Sequence, residues 1–259
     1  MASTRITLLS IALASQFFLH SASLATEILV IASVEQEVNS YTGKDGEPTG
    51  RVLELVRRGM DRMGIEVEFK LLPWRRAITG TYEGKYDALL KPFWNSERHK
   101  YMDFSREILL HETIVLYKRK DRTITFNGNW NAIFQYKFGV IQGYSYGRIF
   151  DKLRAVWDLK TDESTNVEHN LKKLVAGRFD LLVGFQSYTE ANIKKFNLED
   201  QVEQLPFIID SVESHIAFTK KKNLKVIRDQ FDEQIRWMRA NKVYEELSDK
   251  YGVTFNSVK

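Results

Sequence analysis

The chain has 259 residues, a formal charge of +4, no cysteine and 43% hydrophobic residues. That share supports an ordinary globular core, and the length suits one large domain or two smaller lobes. Lysines and arginines are interspersed with acids throughout, which excludes a nucleic-acid-binding stripe, and the lack of cysteine leaves stability to the core alone.

Residues 1–25 open with Arg5, run apolar from Ile6 to Leu19 and finish Ala22-Ser23-Leu24-Ala25, with small residues at −3 and −1. This is the pattern of a secretory signal peptide cleaved before Thr26, and the apolar run is short for a membrane span. An exported chain with no cysteine to acylate points to a Gram-negative periplasm and no lipid anchor.

Ile28 to Ser33 reads as a short buried strand of branched residues. Val38 to Gly50 is turn-rich, and Arg51 to Met63 carries Val52, Leu55, Val56 and Met60 at helical spacing before Gly64 ends the helix. Glu66 to Leu71 alternates as a strand, and Pro73-Trp74 starts a helix toward Tyr82. Strand, helix, strand, helix, strand implies a mainly parallel sheet, whose ligands sit beyond the carboxyl ends of the strands. Trp74, the loop from Lys91 to Arg98 and the loop from Val34 to Tyr41 fall at such ends.

A second half follows. Thr113 to Tyr117 is a strand running into the polar segment Lys118 to Arg122, a natural crossing between lobes. Phe138 to Ile141 is a strand, the turn Gly143-Tyr144-Ser145-Tyr146-Gly147 feeds a helix, and Val167 to Ala176 is helical. Asp180 to Val183 and His215 to Phe218 read as strands, with a helix from Tyr188 to Phe196 between them. Amphipathic helices close the chain, with a break near Ala240-Asn241. Gly177-Arg178-Phe179-Asp180-Leu181-Leu182-Val183 echoes Gly84-Lys85-Tyr86-Asp87-Ala88-Leu89-Leu90, so the halves are similar α/β units.

Catalytic signals are sparse. There is no Ser/His/Asp order and no metal-ligand spacing, and His20, His99, His111, His169 and His215 stand apart in sequence. The reading is therefore of a site with no catalytic residues, no metal and no cofactor.

Five stretches in order are recognisable: Asp45-Gly46-Glu47-Pro48-Thr49-Gly50, Leu72-Pro73-Trp74-Arg75-Arg76-Ala77, Gly84-Lys85-Tyr86-Asp87, Glu97-Arg98 with Asp103-Phe104-Ser105, and Gly143-Tyr144-Ser145-Tyr146-Gly147. Together they resemble the family 3 extracellular solute-binding proteins, the polar amino-acid binding components of ABC importers. The resemblance implies a two-lobed α/β type II periplasmic-binding fold with two hinge strands. Lobe 1 is expected at 26–115 and 214–259, and lobe 2 at 116–213.

The resemblance also implies a monomer that closes on a small carboxylate-bearing solute and presents it to an inner-membrane ABC permease. Arg98 matches the arginine that clamps the ligand carboxylate, a planar fork suited to two parallel charge-assisted bonds. Trp74 matches an aromatic wall, and Ser145 lies where the second lobe's helix N-terminus meets the carboxylate. Tyr144 and Tyr146 serve equally as cleft walls or as surface aromatics packed on the helix start, Trp94 reads as a cleft wall, and Tyr41 lies in a loop at the strand ends. Two features depart from the family. Phe185 follows Val183-Gly184 where an aspartate usually meets the ligand's α-ammonium. Glu37 or Glu213 would then have to supply that charge, or the solute is not an ordinary α-amino acid. The loop before Arg98 is also shorter than the family form and carries Lys91-Pro92-Phe93-Trp94 where small polar residues are commoner, which implies an altered pocket. A cyclohexadienyl-dehydratase-like enzyme and a soluble sensor feeding a membrane receptor are the alternatives that the same fold allows.

Overall fold

The computed structural model describes residues 28–253 and 255, so the expected signal peptide lies outside the described residues. Strand β1 (Leu29–Ser33) leads through a small hairpin, β2 (Tyr41–Thr42) and β3 (Pro48–Thr49), into helix α1 (Arg51–Asp61). Then come β4 (Val67–Leu71), α2 (Trp74–Glu83), β5 (Ala88–Phe93), the single turn α3 (Ser96–His99) and β6 (Met102–Phe104). Strand β7 (Leu110–Arg119) crosses to the second half, which holds β8 (Phe138–Ile141), α4 (Gly147–Trp157), β9 (Thr161–Ser164), α5 (Val167–Val175), β10 (Leu181–Phe185) and α6 (Gln186–Lys195). Strand β11 (Val202–Thr219) returns, and α7 (Lys225–Ala240) and α8 (Val243–Tyr251) follow.

The strands form one continuous path in the order β4, β1, β5, β11, β7, β10, β8, β9, with β6 also paired to β11. Pairing is parallel within each half, β4 to β1 to β5 and β10 to β8 to β9. It turns antiparallel wherever β7 or β11 takes part. These two long strands pair with each other and with both halves, so they are the hinge. The sequence pattern showed only the ends of this ladder, Thr113–Tyr117 and His215–Phe218. The stretch Val202–Ser214 escaped because its middle, Glu203-Gln204-Leu205-Pro206, does not alternate cleanly, and the register shifts there between Gln204 and Ile208. Strand β9, Thr161–Ser164, was missed for a simpler reason: TDES carries no apolar residue.

Buried side chains separate into cores on either side of the hinge. One cluster gathers Ile114 to Ile209, around Phe138, Phe150, Leu171 and Leu182. The other half packs Val52, Leu55, Met60, Phe231, Ile235 and Leu247 on one sheet face, and Ala77, Tyr86, Leu89 and Phe104 on the other. Helices α7 and α8 thus return to the first half, with the expected break at Asn241 and at Lys242 (φ 60°).

The repeated Gly-x-x-Asp motif has one structural job, done twice. Asp87 accepts a hydrogen bond from the Val30 amide at 2.8 Å, and Asp180 accepts one from the Lys137 amide at 3.0 Å. In both halves the aspartate ties the start of one strand to the entry of the neighbouring strand. Satisfying an amide that the parallel ladder leaves unpaired fixes where the strands begin, and hence where their carboxyl ends emerge.

Candidate functional site

Strands β1, β5 and β10 end at the cleft between the halves. Strand β5 carries Leu90, Lys91 and Phe93 there, and its last turn is unusual. Lys91 has φ +60°, and the register opposite jumps from Ile216 to Ser214, leaving Lys91 and Pro92 facing one residue of β11. This is a β-bulge whose first residue is left-handed, a place where glycine is favoured and a bulky residue costs roughly 1–2 kcal/mol. Bulges re-aim side chains, and here Lys91 lines the cavity.

The cavity has a volume of about 30 Å³, room for one or two waters. Its walls are mostly apolar and aromatic: Val34, Leu90, Trp74, Phe93, Tyr144 and Phe185. The polar groups are Gln36, Lys91, Arg98, Glu112 and Ser145. Aromatic contacts cross the cleft. Trp74 and Tyr144 meet edge to face at 5.6 Å between ring centroids and Phe93 and Phe185 do so at 5.5 Å, while within the second half Tyr144 stacks on Phe185 at 5.8 Å.

Arg98 is buried, with 7% of its surface exposed. Asn95 caps α3 by accepting from the Arg98 amide at 2.8 Å, which fixes the start of the side chain. Arg98 Nη1 donates to the Phe93 carbonyl at 2.9 Å, and its guanidinium lies 5.1 Å from the centre of the Trp74 ring. Among the described residues it makes no ion pair. Burial lowers its pKa from the ordinary value, opposed by Tyr82 and Asp151. A buried cation short of a counter-charge is a site for an anion.

Lys91 is arranged in the opposite way. Its Nζ donates to Glu112 Oε1 at 2.8 Å and to Gln36 Oε1, and both members of the ion pair are about 95% buried. Burial pushes the Lys91 ammonium below its usual range, and the Glu112 carboxylate opposes that shift. Lys91, Gln36 and Glu112 also line the cavity; the sequence placed the loops of Lys91 and Gln36 at the strand ends but did not mark Glu112 or its pairing with Lys91. A signal for the pairing was the lysine inside the otherwise apolar strand Ala88-Leu89-Leu90-Lys91-Pro92-Phe93, since such a residue is buried only with a partner.

The other expected site residues distribute unevenly. Phe185, Tyr144, Trp74 and Ser145 line the cavity with Arg98. The Ser145 hydroxyl donates to Asp151 at 2.5 Å, and the Tyr146 amide donates to the other oxygen of the same carboxylate at 3.0 Å. The N-terminus of α4 is thus capped by its own aspartate. Tyr146 is 1% exposed, accepts from the Ile141 amide at 2.7 Å and stacks on Phe185 from the core side at 5.4 Å. Trp94 is 58% exposed, on an outer groove with Asp151, Glu213 and His215. Tyr41 lies in the hairpin β2–β3, paired with Thr49, away from the cavity walls. Glu37 pairs with Lys195 at 2.6 Å and Glu213 faces the outer groove, so neither meets the cavity. Among the described residues no group of three or more His, Asp or Glu could hold a metal, and no helix is long and apolar enough to cross a membrane.

Solved structures share this architecture. A histidine kinase sensor domain with similarity to periplasmic binding proteins superposes with a TM-score of 0.77 at 19% identity, covering 88% of this chain and 98% of its own. An ancestral arginine-binding protein bound to arginine gives 0.75 at 19% identity, covering 86% and 97%. A structure from work on glutathione import via GshT and the cystine ABC importer TcyBC of Streptococcus mutans gives 0.75 at 20% identity, covering 90% and 98%. No curated protein matches the chain. The architecture is the two-lobed type II periplasmic-binding fold. Residues 29–254 match the bacterial extracellular solute-binding proteins, family 3, and the chain belongs to that family.

Proposed function

We propose that this protein captures a small carboxylate-bearing solute of amino-acid size in the periplasm and delivers it, as a monomer, to an inner-membrane ABC permease. Lobe 1 comprises residues 26–115 and 214–259 and lobe 2 residues 116–213, a division supported by the separation of the buried cores. The carrying observation is Arg98, a buried guanidinium without an ion-pair partner among the described residues, at the mouth of two lobes joined by two strands. Its Nε and Nη2 form the edge that a carboxylate takes through two parallel bonds.

Closure follows from the same geometry. Contacts between the halves gather at the cleft: Trp74 with Tyr144, Phe93 with Phe185, the Tyr188 hydroxyl with the Glu35 carbonyl at 3.4 Å, and Glu37 with Lys195. A cavity of about 30 Å³ is far smaller than a small-molecule site of roughly 300 Å³ or more, so the solute enters an opened form and the lobes close on it. A thermal-shift screen of amino acids and small carboxylates tests the reading. A binder at about a hundred times its dissociation constant adds roughly 2.7 kcal/mol of stability, and a uniformly flat screen overturns it.

A further inference from the structure

The ionisable groups of the cavity divide into one free charge and one neutralised pair. Arg98 is without an ion-pair partner among the described residues, whereas Lys91 and Glu112 are bonded to each other at 2.8 Å and share Gln36. Among the described residues, Glu112 is the only carboxylate in the cavity walls. The other nearby acids point elsewhere: Asp151 caps α4, Glu37 holds Lys195, and Glu213 faces the outer groove. At the end of β10 stands Phe185, 6% exposed, its ring packed between Tyr144 and Phe93.

We infer that the pocket selects a monocarboxylate that lacks an α-amino group and carries an aromatic or other apolar body, with Lys91 as the specificity-determining residue. This rests on the reading of Arg98 as the carboxylate clamp. A zwitterionic amino acid would bring an ammonium into the cleft, and a buried ammonium needs an acceptor that also offsets its charge. Lys91 already fills that role from within the protein, its own ammonium occupying Glu112 and Gln36. The ligand's ammonium would face Phe93, Phe185 and a second cation. The backbone is built to hold Lys91 there, since the left-handed bulge at φ +60° turns a strand residue into the cavity against its conformational preference. The net charge of the walls, one cation in excess, matches one carboxylate, and their aromatic surfaces match an apolar body.

The experiment is calorimetry with matched pairs: 3-phenylpropanoate against phenylalanine, and 4-methylpentanoate against leucine. The acids are expected to bind roughly tenfold to a hundredfold more tightly than the amino acids. Equal or tighter binding of the amino acids overturns the inference while leaving the solute-binding reading intact. If neither these probes nor any solute in the wider screen binds, both fall. Two variants separate the role of Lys91 from simple packing. Lys91→Gly suits the positive φ and removes the ammonium bonded to Glu112, so the preference should shift toward the amino acids by at least about tenfold. The pair Lys91→Met with Glu112→Gln removes both charges, leaves no carboxylate for an ammonium, and should keep the preference for the acids. An unchanged preference in Lys91→Gly, or a reversal in the uncharged pair, overturns the assignment.

Discussion

Arg98 makes its point by what surrounds it. Asn95 fixes its backbone, Phe93 takes one of its donors and Trp74 lies against its guanidinium, so the side chain is held in place without any ligand. Arg98→Ala should weaken binding of any captured carboxylate by about 2–5 kcal/mol, because the anion is left buried and unpaired. Calorimetry on wild type and variant measures this, and unchanged affinity removes Arg98 from the site. Arg98 could be singled out from the chain because its type and its turn were informative. Lys91 and Glu112 could not be paired that way, since 21 residues and a change of strand separate them.

At the scale of elements, the turn into α4 and the hinge strand β11 carry the testable consequences. Gly143 has φ +75°, and a Cβ there would lie 3.3 Å from Trp74 Cδ1. The turn can approach Trp74 because the residue has no side chain and tolerates a left-handed backbone. Gly143→Ala should cost about 1–2 kcal/mol from the backbone alone. Urea unfolding reads this, and a stability equal to wild type would show that the turn relaxes freely. In β11, His215 is 8% exposed and its Nδ1 meets no partner among the described residues. Burial lowers its pKa from the ordinary 6.5, against the opposite pull of Glu213 and Asp232. Below that value the unfolded chain takes up a proton that the native imidazole refuses. Stability is therefore lost as pH falls from about 6.5 toward the native pKa. His215→Gln should flatten that part of the stability profile, measured by urea midpoints between about pH 7 and about pH 5. An identical slope in the variant excludes His215 as its source.

For the molecule as a whole, the contacts between the halves are aromatic at the cavity, with an ion pair farther out. Glu37 and Lys195 are separated by most of the chain and bridge the two halves at 2.6 Å, yet the Lys195 side chain is 53% exposed. Exposed pairs are worth about 0–1 kcal/mol, so this contact adds little to what holds the halves together. Lys195→Ala should speed release of a bound solute by no more than about fivefold in stopped-flow tryptophan fluorescence. A larger effect would move the main closing energy from the aromatic contacts to this pair.

Local order was legible in the sequence because it is written locally. Helix periodicity placed α1 and α5, Gly64 stopped the first helix, and the two Gly-x-x-Asp motifs marked strands that prove to be anchored alike. The five motifs in order carried the fold and the cavity residues Arg98, Trp74, Tyr144 and Ser145, and the departure after Val183-Gly184 marked Phe185. Tertiary structure alone decided the rest. The length of β11 depends on its ladder with β7, which tolerates Pro206 and a register shift that no local pattern encodes. That Trp94 faces a groove with Asp151 and Glu213, and that Tyr41 pairs with Thr49 in a hairpin, is likewise set by tertiary placement. The charge pattern of the pocket depends on a bulge in β5 that brings Lys91 to Glu112 of β7, while Arg98 has no ion-pair partner among the described residues. Charges become a binding site only when the fold sets which are paired and which remain free, and distance along the chain carries none of that information.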